Sequence, residues 1–294
     1  MNNLKAHLSI LGANIIYGIN YTVAKDVMPD YISPFGLVFC RILGALILFW
    51  SVGFIRYEKI EKKDLLLLAT CGFFGVFANQ LMFLYGLDNT TPINASIIMI
   101  SNPILVLIAS AIILKNRITG MKVTGITLGI FGALLLLLLK QDFSFGSEYL
   151  LGDLFIFLNA SAYGVYLVLV FPLMKKYSPI TVLKWIFTFG IIFVFPFSIQ
   201  DFTTTEWQNF SLKIWLEFSF VIIGTTFFAY LLNIYGLRRL NPSVVSTYIY
   251  LQPLFAALIA IWAGKDALDG VKIIAALLIF GGVYLVNKSS LPTR

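Results

Sequence analysis

Asn, Gln and Tyr residues recur at helical spacing inside runs that are otherwise apolar, and one Arg lies among them. Asn14, Tyr17 and Tyr21 fall at i, i+3 and i+7, with Asn20 beside them; Asn159, Tyr163 and Tyr166 repeat the stripe at i, i+4 and i+7. Asn94 and Asn102, Asn79, Tyr230 with Asn233, and Tyr248 with Gln252 occupy further apolar runs. Side chains three or four apart share one helix face, so each run presents a polar line. Phenols and amides can stack on a ring and hydrogen-bond an amine or a carbonyl, and Arg41 can hold a carboxylate through two parallel hydrogen bonds. That is binding chemistry, and these residues are the candidate substrate contacts. The competing reading is hydrogen bonding between helices, worth ~0.6–2 kcal/mol per contact, with Arg41 snorkelling outward or holding helix carbonyls. No nucleophile, base and orienting group lie together, and no His-Glu-x-x-His, Gly-x-Ser-x-Gly or phosphate-loop pattern is present. The chain is therefore not expected to be an enzyme or to carry a cofactor or metal.

Composition says what positions these residues. The 294 residues are 59% hydrophobic and only 12% charged, where a soluble domain carries about a quarter charged residues. A bilayer crossing takes about 20 apolar residues. The runs are continuous, not the alternating ~10-residue segments of a barrel. The expectation is an all-α integral membrane protein with ten transmembrane helices, at about 8–25, 34–55, 65–87, 92–114, 121–139, 152–173, 180–199, 213–236, 242–263 and 270–287. Cys40 and Cys71 lie inside apolar runs, so no disulfide framework is implied. The net charge of +7 comes from loop cations, with no basic, aromatic-bearing hydrophilic face, so nucleic acid is excluded as a partner. The expected partners are the bilayer and a small-molecule substrate.

The chain also copies itself. Laid without gaps on the later half, Pro92 falls on Pro242, Ser96 on Ser246, Pro103 on Pro253 and Lys115 on Lys265, with Asn102 on Gln252. A proline inside a helix lacks an N–H and pushes away the carbonyl four residues back, here those of Met99 and Ile249. In hydrocarbon such breaks persist where protein or a water-filled cavity supplies partners. Matched interruptions in two halves point to a transporter's central site, and Pro103 and Pro253 are its expected hinges. Lys5, Arg56, Lys59, Lys62, Lys63, Lys115, Arg117, Lys122, Lys175, Lys176, Lys184, Arg238, Arg239, Lys288 and Arg294 fall on one side of the ten-span topology; the other side holds only Lys25, Lys140, Lys213, Lys265 and Lys272. Positive charge stays inside, so both termini are expected in the cytoplasm of a multi-pass protein of the cell (inner) membrane. Five spans per half make the second copy enter from the opposite side. The expected organisation is two inverted five-helix repeats, 1–140 and 152–294, joined by an external linker at 141–151.

The 5+5 repeat, the Asn-Pro and Gln-Pro of spans four and nine, Arg41 after Pro34, and Lys122, Gly125, Gly129 and Gly132 in span five resemble the EamA-type drug/metabolite transporter family. The resemblance runs from about Leu8 to Val286. Where that family often has a Glu after spans four and nine, this chain has Asn116 and Asp266. The resemblance implies a ten-helix exporter or permease for small metabolites, with a central cavity lined by spans 1, 3, 4, 6, 8 and 9.

The polar lines favour amino acids or related amphipathic solutes, moved by alternating access. No Asp or Glu lies near the middle of any span, since Asp88, Asp153, Glu217 and Asp266 are all at ends. That leans towards facilitated diffusion or weak coupling. Gly125, Gly129 and Gly132 make a small-residue face that suits close helix packing or the seam of a weak homodimer; otherwise the chain is a monomer. The rival reading is a lipid-handling or sensing protein without a solute cycle, whose sign would be a wide apolar gap between spans.

Overall fold

The computed structural model describes residues 2–54, 58–138, 149–262 and 270–289. Residues 141–148 of the expected linker, Arg56 and Asp266 lie outside these. Among the described residues every regular element is helical. The first two are α1 (Asn2–Val27) and α2 (Pro34–Gly53). A third segment consists of α3 (Leu65–Gly72) and α4 (Asn79–Asp88), joined by a π-helical stretch at Phe73–Ala78. Then come α5 (Pro92–Met99), α6 (Asn102–Ile113), α7 (Gly120–Leu138), α8 (Leu150–Lys176) and α9 (Pro179–Thr204). A second π-helical stretch, Phe220–Phe228, joins α10 (Leu212–Ser219) to α11 (Ala229–Leu237). The series ends with α12 (Pro242–Thr247), a 3-10 turn at Tyr248–Tyr250, α13 (Leu251–Trp262) and α14 (Gly270–Ser289).

Six continuous helical segments are long and apolar enough to cross a membrane: Pro34–Gly53, Lys62–Asp88, Pro92–Ile113, Leu150–Lys176, Pro179–Thr204 and Leu212–Leu237. Shorter apolar helices lie at Gly120–Leu135 and Ile273–Ser289. α1 has the length, but Asn14, Tyr17 and Asn20 dilute its apolar character. Large side chains such as Ile47, Ile112, Phe131, Ile192, Phe197 and Leu277 stand exposed around the outside. A soluble monomer rarely shows such a surface; lipid covers it here. This is a multi-pass membrane protein.

The helix starts follow local chemistry. Ser33, Thr91 and Ser178 each precede a Pro at the first helical position and accept from the backbone N–H of Gly36 (3.0 Å), Asn94 (3.1 Å) and Thr181 (3.3 Å). Pro there has no N–H to waste, and the hydroxyl satisfies an orphan donor. Between helices, α7 lies along α14 and α2 along α9, while α1 packs on α11 and α13, and α8 on α4 and α6. The α7–α14 seam depends on glycine: a Cβ on Gly125 would sit 2.8 Å from the Gly282 carbonyl oxygen, and one on Gly132 2.8 Å from that of Ala275. The small-residue face is therefore filled by this chain's own α14.

At the end of α1 remote from the amino terminus, the Lys25 ammonium donates to the carbonyls of Leu87 (2.9 Å) and Asp88 (2.6 Å). A cation on the last carbonyls of a helix satisfies orphan acceptors and complements the dipole. Beside it, Thr90 donates to Asp153 of α8 at 2.6 Å. The α4–α5 turn is thus tied to α1 and α8 together. Hydrogen bonds to charged groups are worth about 1.5–3 kcal/mol. Lys25→Met is expected to speed hydrogen exchange at the amides of residues 88–91 by about tenfold or more; unchanged exchange would show that the cap does not hold the turn.

Candidate functional site

Both helix interruptions form where the prolines require them. α5 ends at Met99, and Ile100 and Ser101 bond back to Ile97 (3.1 Å) and Ile98 (3.0 Å) in the tighter 3-10 manner before α6 begins. α12 ends at Thr247, and Tyr248–Tyr250 is a 3-10 turn before α13. Met99 and Ile249, whose carbonyls the prolines displace, both line one cavity at the centre of the bundle.

The same cavity gathers Asn14, Tyr17, Asn20, Arg41, Asn79, Asn159, Tyr163, Tyr230, Asn233 and Gln252. Its volume, measured as space for the centre of a water-sized sphere, is about 70 Å³. A single water needs ~10–15 Å³ by that measure, so the space holds several waters or a very small solute in this conformation. Four expected contacts lie elsewhere. Asn102 is wholly buried and donates to the Ala160 carbonyl of α8 at 2.7 Å. Asn94 sits in the capped first turn of α5. Tyr166 packs its ring over Gly75, where a Cβ would come within 2.3 Å of it. Tyr248 holds its hydroxyl 2.6 Å from His7 Nδ1. Tyr21 of the α1 stripe lines the cavity as well; conversely, Gln80, Phe83, Met99, Val245 and Ile249 line it without having been singled out as contacts.

The π-helical stretches position much of the polar lining. Widening a helix to i→i+5 bonding disturbs its carbonyls, and such bulges are frequent at functional sites. Asn79 and Gln80 follow the first stretch directly, and Tyr230 follows the second. The Tyr230 hydroxyl donates to the Gly75 carbonyl inside the first stretch at 2.8 Å, and Gln80 Nε2 donates to that hydroxyl at 3.4 Å. Within the second stretch Thr225 and Thr226 donate to the Val221 carbonyl, at 2.5 and 2.9 Å. Thr226 in turn accepts from Arg41 Nε at 2.9 Å. Arg41 is therefore braced from α2 across to the second stretch, 3% exposed.

The remaining bonds leave a definite set of groups unused. Gln252 Nε2 donates to Asn14 Oδ1 at 2.8 Å, Asn159 Nδ2 to the Asn79 carbonyl at 2.6 Å, and Asn233 Nδ2 to the Tyr163 hydroxyl. Among the described residues, Arg41 Nη1 has no partner, and neither do the amide oxygens of Asn20, Gln80, Asn159 and Asn233. Buried polar groups are almost always satisfied, so five unpaired ones around a single space mark a place for a ligand or water. Arg41 offers a cationic donor, and the four amides offer neutral acceptors.

The EamA-like transporter family model matches residues 4–138 and again 150–288. The chain belongs to this family. An Archaeoglobus fulgidus protein named as an uncharacterized transporter is 28% identical over 97% of this chain and 98% of its own length. A Bacillus subtilis one, YyaM, is 26% identical over 98% and 95%. A Streptantibioticus cattleyicolor protein named "Probable terminal-alkyne amino-acid exporter" is 22% identical over 88% and 86%. A solved crystal structure matches the fold with a TM-score of 0.76 at 20% identity, covering 98% of this chain and 97% of that one. As an EamA-like protein this chain is a membrane transporter.

The two positions one residue before the prolines are expected to separate on mutation. Gln252→Leu removes a group lining the cavity and its bond to Asn14, and should weaken solute binding about tenfold with little change in Tm. Asn102→Leu deletes an interhelical bond worth ~1 kcal/mol and should lower Tm while leaving binding near normal. Thermal shift and binding measured on both variants check this; equal effects on both readouts would contradict it.

Proposed function

We propose that the protein is a secondary transporter that moves small amphipathic solutes, amino acids or close relatives, outward by alternating access around this cavity. The observation that carries the reading is the pairing of a free Arg41 Nη1 with unpaired amide oxygens in one buried space. A zwitterion fits that division: its carboxylate takes the guanidinium and its ammonium the amide oxygens, with Tyr17, Tyr21 and Phe83 beside its apolar part. The name of the Streptantibioticus relative agrees with an amino-acid cargo.

The architecture belonging to this reading is ten spans in two inverted repeats, 1–140 and 152–294, joined outside at 141–151, with both termini in the cytoplasm and the whole in the cell (inner) membrane as a monomer or weak homodimer. Exchanging α1 with α8, α2 with α9, α4 with α11, α6 with α13 and α7 with α14 maps the main helix contacts onto themselves, which supports a twofold relation. Both π stretches and both proline breaks obey the same exchange. The halves would rock with Pro103 and Pro253 as flexure points. Among the described residues the lining holds no Asp or Glu, and facilitated diffusion or weak coupling suits that lining better than a carboxylate proton relay.

Purified protein in liposomes should accelerate amino-acid flux with saturation. Flux no faster than in protein-free liposomes across zwitterionic, cationic and anionic metabolites, with the protein folded, would overturn the reading.

A further inference from the structure

A second hollow, larger than the central one, opens on the flank of the bundle nearer the amino terminus. It has about 590 Å³ of space for water-sized spheres and shares no lining residue with the central cavity. Its walls are mainly aliphatic, from Val52, Ile180, Leu231 and Leu232, and Arg238 stands exposed at its mouth. Arg238 makes no ion pair within 4.0 Å among the described residues. Beside Gly53, another wall residue, lies Lys184, which is only 4% exposed. Its ammonium sits over the Trp50 ring at 4.6 Å and has no hydrogen-bonding or ion-pair partner among the described residues. Trp50 and Trp185, with ring centroids 6.0 Å apart, place this level at the membrane–water interface, where Trp gathers. One acid is nearby: Glu58, which accepts from the Ser178 backbone N–H at 3.0 Å.

An apolar trough ending in two cations, with the single carboxylate of Glu58 in electrostatic reach of Arg238, carries net positive charge at headgroup depth and has the chemistry of one occupant. We propose that the groove is a binding site for an anionic phospholipid of the leaflet on the amino-terminal side. An acyl chain lies along Val52, Ile180 and Leu232, and the phosphate meets Arg238 with Lys184 behind it. A zwitterionic lipid fills the trough equally well but brings no net charge to the cations. The lipid wedges between α1 with α11 on one side and α2 with α9 on the other. The site requires only that the chain lies in a bilayer, so it stands or falls separately from the central cavity.

Native mass spectrometry of the full chain, purified in detergent and titrated with phosphatidylglycerol or phosphatidylcholine of matched chains, tests it. One phosphatidylglycerol should be retained about fivefold or more in preference to phosphatidylcholine, the ratio expected for a single cation near an anionic headgroup. Arg238→Gln, an exposed substitution, should clearly reduce that preference, Lys184 alone remaining behind the headgroup. Leu232→Trp should remove retention of both lipids by filling the trough, and Ile180→Trp serves the same purpose if the first variant does not fold. Equal retention of the two lipids by the unaltered chain, an unchanged preference in Arg238→Gln, or displacement of the lipid by millimolar inorganic phosphate would overturn the proposal.

Discussion

Replacing Arg41 by Gln is expected to abolish measurable solute binding while leaving a folded protein. The guanidinium is buried against Thr226 and keeps Nη1 free at the cavity. Removing one partner of a buried, hydrogen-bonded charge pair costs about 2–5 kcal/mol. The dissociation constant for a zwitterionic solute should therefore rise at least about 30-fold. Gln keeps a donor for Thr226, so Tm should move far less than affinity. Arg41→Lys keeps the charge but loses the fork that reaches Thr226 and a carboxylate together; it should fall between the two. Binding measured by calorimetry and Tm measured on the same samples decide the matter. A large fall in Tm with affinity intact would make Arg41 a structural brace only.

Gly129→Val should be strongly destabilising. A Cβ on Gly129 would stand 2.2 Å from the Tyr250 ring, and Tyr250 is fully buried. The ring belongs to the 3-10 turn before Pro253, so it cannot move without disturbing the broken helix beside the cavity. Overpacking a close-packed site costs typically 1–3 kcal/mol, and a branched side chain against a fixed ring belongs at the top of that range. Tyr250→Ala in the same chain should recover much of the loss, because it removes the group that clashes. A double-mutant cycle on Tm or on unfolding free energy reads the coupling; additive losses would place the clash elsewhere.

The helical membrane character was legible because polar residues are sparse and the apolar runs continuous. The two breaks were legible because Pro103 and Pro253 sit inside such runs, and the interruptions lie immediately before them. The polar stripe on α1, and Asn159 and Tyr163 of the one on α8, reached the cavity as spaced, since both helices run unbroken. Spacing failed where a helix changes its winding. The turn at Ile100–Ser101 shifts the register within the fourth segment, so Asn102 faces α8 and Met99 faces the cavity. The stretch at Phe73–Ala78 likewise changes which face its successors take, bringing Gln80 and Phe83 to the lining along with Asn79. An aromatic, glycine-containing run carries no period that announces π winding. Tyr166 shares the stripe of Asn159 and Tyr163, but Gly75 leaves a recess that its ring fills.

Thiol reactivity in proteoliposomes addresses the cavity most directly. In a chain with Cys40→Ala and Cys71→Ala, three variants compare the positions: Asn20→Cys, Asn233→Cys and Asn102→Cys. The first two should react with a small water-soluble thiol reagent and be protected by the transported solute. Asn102→Cys should stay unreactive. Reaction at Asn102→Cys as fast as at the other two, or no reaction at Asn20→Cys and Asn233→Cys in a folded protein, would contradict a hydrated solute site between the two broken helices.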